Sequence, residues 1–292
     1  MNTPFVNILA AHTTFAGLDI RIWEVGHGLA VRIRTPNGQN HFIDAGSSPG
    51  FSPAEHIYAK HWRATDAVDF LVISHQDSDH IDDLPTFLKL LGRPRAYLRN
   101  RSVPADEKYG SLTLDYQKAL WSIDAEYTGS VDQSQDPRRY ENNGGVYVDT
   151  YMLDWNYCAG NINNASVLVS YTYAGISFIF PGDLEPLGWS NLVSLNSNLL
   201  ANALDSQLRI LVAPHHGRES GYSKEMLDYI KPDLIVISDG HGVGETDPRF
   251  RTAATGVSID GVETKYVTTK NRGRKKFTVS PVGEVTIHEA DE

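Results

Sequence analysis

Among its 292 residues the chain has one cysteine, Cys158, which excludes an internal disulfide and any zinc cluster built on thiolates. Cys158 reads as a packing residue, and any metal would have to be held by histidines and carboxylates. Long apolar runs are missing as well: no uninterrupted stretch is long enough to cross a bilayer, and the opening MNTPFVNILAAHTTF carries no positively charged leader. A cytoplasmic protein without membrane contact is expected. Positive charge is in short supply, 26 Lys and Arg against 36 Asp and Glu, and the net charge of -10 argues against indiscriminate binding of polyanions. No linker, short-period repeat or low-complexity tract divides the chain. A single domain over 1–292 is expected, with a core at 18–288; 41% hydrophobic residues are enough to build one.

What is present centres on Leu71 to Leu84, LVISHQDSDHIDDL. An apolar, β-branched run, Val68 to Ile73, ends in Ser74 and then releases His75, Asp77, Asp79, His80 and Asp82 into a short loop. The loop beyond the carboxyl end of a buried strand is where open α/β sheets place ligands, and a rigid strand lets several side chains converge at small entropic cost. His75 and Asp77 alternate as ligands of one ion should, and Asp79 with His80 supplies a second pair for a neighbouring ion. A helix opening at Pro85 and closing at Gly92 follows.

Along the chain, 18–25 and 30–35 alternate apolar and polar positions, and PNGQ carries the Asn-Gly of a tight hairpin into HFIDAG, giving a β-meander. An amphipathic helix runs from Ser52-Pro53 to Trp62. The polar, weakly periodic text at 102–143, with one helical stretch near Leu112 to Ile123, reads as an insertion or lid. Strands resume at Val146, and SVLVSYTY with ISFIFPGD forms a hairpin whose second arm delivers Asp183. A helix from Leu187 to Leu204 comes next, and a third apolar strand, Leu208 to Ala213, ends in Pro214-His215-His216-Gly217. Three strand ends thus carry candidate ligands. Strands on both sides of central helices in each half predict an α/β (α+β) fold of αββα type, two mixed sheets packed face to face with helices outside.

Eleven of the basic residues fall in two stretches without an acid. Lys89, Arg93, Arg95, Arg99 and Arg101 form the first; Lys265, Lys270, Arg272, Arg274, Lys275 and Lys276 form the second, at a hairpin tip. The two stretches read equally as solvated faces and as a shared phosphate-binding rim. His27 and His241, in Gly-rich loops, read as loop residues.

These motifs, EVGHGLA at Glu24, FIDAG with Asp44, SHQDSDH at Ser74, NNAS at Asn163, PGDLE at Pro181, PHHG at Pro214 and IKPDLIVIS at Ile230, resemble in order those of the metallo-β-lactamase superfamily. Within it they look most like the ComEC/Rec2-like hydrolase domains. The resemblance implies two divalent ions bridged by Asp183. His75 and Asp77 would hold one, and Asp79, His80 and one of His215 or His216 the other. Asp44 would orient a histidine ligand from behind. His216 is preferred as ligand and His215 as the group facing substrate, with Asp79 beside it as a catalytic residue. No histidine lies between His80 and His215, so Asn163, Asn164 or water would stand where the superfamily has a third histidine. Asp82 and Asp83 replace two glycines of the group and would add negative charge beside the site.

Three carboxylates in the set favour Mn²⁺, with Zn²⁺ and Mg²⁺ as alternatives. The expected activity is metal-dependent hydrolysis of phosphodiesters in DNA or RNA, with Lys270, Arg272 and Arg274 contacting phosphate. The alternatives are a hydrolase of small molecules, such as a lactone, a cyclic nucleotide or another phosphoester, and a non-catalytic metal-binding module.

Overall fold

The computed structural model describes residues 16–240, 246–270 and 274–288. The first half contains β1 (Leu18–Ile22), β2 (Val31–Arg34), β3 (Asn40–Ile43), α1 (Pro53–His61), β4 (Phe70–Val72), α2 (Ser78–Ile81), α3 (Leu84–Leu90), β5 (Ala96–Leu98), α4 (Ala105–Tyr109) and α5 (Asp115–Glu126). The second contains β6 (Tyr147–Tyr151), β7 (Leu168–Tyr173), β8 (Ile176–Phe180), α6 (Pro186–Leu195), α7 (Ala201–Leu204), β9 (Leu208–Val212), α8 (Lys224–Ile230) and β10 (Leu234–Ile237), followed by β11 (Val257–Ile259), β12 (Val262–Thr264), β13 (Tyr266–Thr268), β14 (Lys275–Val279) and β15 (Val285–His288).

Two mixed sheets result, ordered β15-β14-β1-β2-β3-β4-β5 and β13-β10-β9-β8-β7-β6, with β11 and β12 a separate hairpin. The meander β1-β2-β3 is antiparallel and β3-β4-β5 parallel. In the other sheet β6-β7-β8 is antiparallel, whereas β8, β9, β10 and β13 run parallel.

Alternation along each strand explains why the sheets stack. Phe70 and Val72 of β4 enter the same buried cluster as Phe178 and Phe180 of β8, Ile210 and Val212 of β9, and Phe277 of β14. The residues between them point the other way. Leu71 joins Ile57, Phe87, Leu120 and Ile123 under α1, α3 and α5, and Ile179, Leu211 and Ile235 join Trp189, Leu192, Met226 and Ile230 under α6 and α8. Strands apolar on both faces therefore bury both, one against the opposing sheet and one against helices. This is the αββα sandwich expected from the sequence. A buried hydrogen-bonded contact, His41 Nδ1 to the Tyr171 hydroxyl at 3.1 Å, crosses between the sheets from β3 to β7.

Three expectations need correction. The helix expected over Leu187 to Leu204 is two, because Asn196 leaves helical geometry and Leu200 turns left-handed with φ 57°; Asn and Ser in NSN compete for backbone hydrogen bonds and favour such a break. The helical stretch expected near Leu112 to Ile123 runs instead over α5, Asp115–Glu126, and buries Leu120 and Ile123 against the first sheet's helical layer. The second basic stretch is not a hairpin tip: β13 belongs to one sheet and β14 to the other, so the chain between them is a crossover.

Phe178 and Phe277 meet edge to face at 5.3 Å between centroids, one from each sheet, and both are wholly buried. Phe178→Ala is expected to destabilise the fold by roughly 3–5 kcal/mol. Chemical denaturation followed by circular dichroism checks this, and a loss below 1 kcal/mol would mean that the sheets do not depend on this contact.

Candidate metal centre

The carboxyl ends of β3, β4, β8 and β9 reach one edge of the sandwich and deliver Asp44, His75, Asp183 and His215-His216 there. Beyond β4, α2 begins at once, bringing Asp79 and His80 back over the edge. Asp77 stands at the N-cap of α2 yet makes no capping hydrogen bond, leaving its half-exposed carboxylate available. Gly28 admits this return: a side chain there would meet the Asp79 carbonyl at 2.3 Å. Gly182, at φ 59°, similarly lets the chain pass Ser166 and Ser74 before Asp183.

Asp79, His80, Asp183 and His216 offer ligand atoms that all lie within 4.8 Å of one another, a spacing that fits a metal ion. Around Asp183 Oδ1, His80 Nε2 lies at 3.1 Å and His216 Nε2 at 3.5 Å, with Asp79 Oδ2 3.4 Å from His216. The other oxygen, Oδ2, faces His215 Nε2 at 3.6 Å and His75 Nε2 at 3.8 Å, with Asp77 Oδ2 3.7 Å from His75. Asp183 thus presents one oxygen to each of two groups. His75 Nε2, in the Oδ2 group, and Asp183 Oδ1, in the other, are both buried without a hydrogen-bond partner.

Asp44 fixes the set from beneath. Its carboxylate accepts from the Ser74 backbone N–H at 2.6 Å and the Ser74 hydroxyl at 2.7 Å, and it lies 2.7 Å from His80 Nδ1. A carboxylate can only accept, so the proton of His80 sits on Nδ1 and Nε2 is turned to the cluster.

Electrostatics agree with an electron-rich centre. Burial disfavours the charged form of His80, but Asp183 and Asp44 outweigh it and hold the imidazole well above its ordinary value. His216 is likewise raised against its burial, by Asp183 and then Asp79. Burial pushes the carboxyls of Asp79 and Asp183 up, yet the histidines around them win and both titrate well below the usual range. His215 goes the other way, lowered chiefly by burial.

Asn163 and Asn164, foreseen in place of the absent histidine, lie at the turn that follows Asp183, and Asn163 Oδ1 is buried without a hydrogen-bond partner. Asn164 accepts from the Glu185 and Gly188 backbone N–H groups and donates to Cys158, and Asn163 donates to Glu185. Both brace the turn after Asp183, and His215 stands beside Asp183 Oδ2 instead. Asp83 is also turned away: it accepts from Ser52 and the Ala54 N–H at the start of α1, and burial raises it to about 6.

The basic stretches are largely spoken for. Arg95 pairs with Asp69 at 2.8 Å at the opposite end of the sheet, Arg99 with Asp124, and Arg93 with Glu126 at 2.9 Å. Lys270 lies 3.7 Å from Asp239, Lys276 pairs with Asp19 at 3.6 Å, and Lys275 is buried. Arg274 stacks on Trp23 and touches His56 at 2.9 Å. Arg272 and His241 lie outside the described residues. Among the described residues, several members of the two stretches are thus held in ion pairs or buried.

Two further residues stand beside the cluster: His27, whose Gly-rich loop could reach the site, and Arg218, which the sequence did not single out. His27 Nε2 lies 3.4 Å from Asp79 Oδ2, and its ring meets His216 edge-on at 4.4 Å; burial, then His216, drive it down to about 4. Arg218 lies 3.3 Å from His27 Nδ1. The available signals were the Gly-flanked VGHG and the position of Arg218 directly after PHHG.

Metal ligation requires neutral imidazoles, whereas the pKa values of His80 and His216 are raised in the metal-free protein. Metal uptake near neutral pH should therefore release protons, and affinity should climb as pH rises toward those raised values. Calorimetric titration with Mn²⁺ in buffers of different ionisation enthalpy measures the release, and a buffer-independent heat would contradict it.

No protein-family model matches the chain. It is 25% identical to ComE operon protein 3 of Bacillus subtilis over 178 residues, 59% of this chain and 20% of that one. It is 25% identical to Recombination protein 2 of Haemophilus influenzae over 249 residues, 82% of this chain and 27% of that one. Competence protein ComA of Neisseria gonorrhoeae is 21% identical over 251 residues, 82% of this chain and 30% of that one. The chain thus spans less than a third of the length of these relatives. Among solved structures, the metallo-beta-lactamase fold protein YhfI of Bacillus subtilis superposes with a TM-score of 0.42 at 12% identity, over 92% of this chain and 99% of that one. A long form RNase Z from yeast gives 0.41 at 13%, over 92% and 42%. Superpositions this loose add little to the chain's own topology. No helix among the described residues is long and apolar enough to cross a membrane. The chain is an αββα sandwich and is similar in sequence to parts of ComE operon protein 3, Recombination protein 2 and Competence protein ComA.

Proposed function

We propose that this chain is a metal-dependent hydrolase of phosphodiesters that works with two divalent ions, with DNA or RNA as substrate. The observation that carries the reading is the division of ligands about Asp183, whose two carboxylate oxygens face separate sets of nitrogen and oxygen donors. Asp79, His80 and His216 would hold one ion and His75, Asp77 and His215 the other, with Asp183 shared. The unpartnered His75 Nε2 and Asp183 Oδ1 fit such occupancy, since a buried polar atom without a hydrogen bond is costly unless something else engages it. When bound, a pair of ions supplies an acidified water and stabilises charge on the centre attacked. The protein's part is positional. Asp44 sets the face of His80, Asp183 fixes the spacing, and the sheet core keeps both loops from relaxing apart.

Nucleic acid as the substrate is supported by the names of the relatives, which concern competence and recombination. A small phosphodiester is the second reading, favoured by the internal pairing of the basic stretches, which leaves less charge free for a long polyanion. Each ion would meet two imidazoles and two carboxylates; the oxygen share keeps Mn²⁺ favoured, while the second imidazole brings Zn²⁺ within range.

Metal-stripped protein given Mn²⁺, Mg²⁺ or Zn²⁺ in turn should cleave single- or double-stranded DNA, RNA or a chromogenic phosphodiester, with Mn²⁺ at least matching Zn²⁺. Cleavage of a neutral lactone or ester alone, with no phosphodiester attacked under any metal, would overturn the proposal. Asp183→Asn should remain folded but lose both ions, whereas Asp77→Asn should lose mainly one. Elemental analysis finding two full equivalents on Asp183→Asn would remove the bridge.

A further inference from the structure

Arg218 follows the two histidines of PHHG across Gly217 and is half-buried beside the cluster. Asp79 and Asp183 act with Arg218 on the same imidazole, His27, yet no carboxylate pairs with Arg218 among the described residues. What it touches is His27, whose Nδ1 lies 3.3 Å from a guanidinium nitrogen. A guanidinium has only donors, so Nδ1 must accept and the His27 proton resides on Nε2, which faces Asp79 Oδ2 at 3.4 Å. The edge contact with His216, 4.4 Å between centroids, holds the ring in place. His27 is therefore a spacer: it relates Arg218 to the metal cluster without letting a carboxylate neutralise it. A half-buried cation with no carboxylate partner among the described residues is a ready place for an anion.

We infer that Arg218, positioned by His27, receives the anionic oxygens of the phosphodiester to be cleaved. The planar fork of a guanidinium matches two non-bridging phosphate oxygens, and a site otherwise lined by carboxylates needs such a cation to admit an anion. A neutral lactone or ester would gain nothing from it. The ligand class rests on the hydrolase reading above, whereas the anion site itself does not.

The test compares metal-loaded wild type with Arg218→Gln, Arg218→Lys and His27→Gln, each first assayed for metal content. Inorganic phosphate, titrated calorimetrically, should bind Arg218→Gln about tenfold more weakly or worse at unchanged metal content, the size of a lost charge-assisted hydrogen bond. Arg218→Lys should recover part of the loss and His27→Gln should show a smaller one. Equal phosphate affinity in wild type and Arg218→Gln overturns the site, as does a fall in metal content that accounts for the change. With a dinucleotide and a short single-stranded oligonucleotide as substrates, KM should rise for both. A rise for the oligonucleotide alone would move Arg218 off the scissile group and onto the flanking backbone. If wild type cleaves no phosphodiester, the hydrolase reading fails while the phosphate titration still decides the site.

Discussion

One carboxylate ties the two halves of this protein together. Asp183 follows a strand of one sheet, and the atoms that crowd its Oδ1 include His80 of α2, just beyond β4 of the other. Neither sheet can shift by an ångström without separating them. The middle of the set is buried: His80 is wholly buried, and His75, Asp183 and His216 are at most 4% exposed. Charges there cannot lean on water, so the acids and imidazoles must balance one another or be balanced by a cation. In the protein alone the balance is struck by protons, which is why His80 and His216 titrate high and Asp79 and Asp183 low. The interleaved Phe, Val and Ile between the sheets fix the distances over which that exchange operates.

Much of this was legible because the signals are local. A strand apolar on both faces, followed at once by His75, Asp77, Asp79 and His80, needs only period-two alternation and a strand end to be read, and the order of Asp44, Asp183 and His215-His216 repeats the pattern. The double face of β4, β8 and β9 is likewise visible in their nearly continuous apolar text, interrupted only by Ser177 and Arg209. What could not be read was anything decided by where separate strand ends meet. The role foreseen for Asn163 and Asn164 followed from a missing histidine counted along the chain; in space His215 stands beside Asp183 Oδ2. The split between α6 and α7 was a local signal, in NSN, outweighed by the apolar periodicity around it.

The misreading of the basic stretches has the same cause in electrostatic form. A run without acids looks like uncompensated charge, but ion pairs form between residues close in space. Asp69 reaches Arg95 because β4 and β5 are parallel neighbours, Asp124 reaches Arg99 because α5 folds back over the same sheet, and Asp19 reaches Lys276 across the β1-β14 ladder. These pairs range from the nearly buried Arg99–Asp124 to Arg95–Asp69, whose arginine is exposed, and each lowers the charge left free for a polyanion. Arg218 shows the converse: next to Glu219 in sequence it looks compensated, and in the fold its contact is His27.

The adjacency of His215 and His216 is where backbone and chemistry meet. Both take left-handed conformations, φ 48° and 54°, and for residues with a Cβ this costs roughly 1–2 kcal/mol each. Tertiary contacts hold them there: the His215 N–H donates to the Gly182 carbonyl at 3.1 Å, and Arg218 N–H closes back on His215 at 2.9 Å. The outcome is two neighbouring imidazoles divided between the two oxygens of Asp183, His216 toward Oδ1 and His215 toward Oδ2. Strain of this kind persists where the surroundings over-determine it and an arrangement unreachable by relaxed backbone is gained. Here a single turn supplies both sides of a shared carboxylate and, one glycine further on, places Arg218 at their rim.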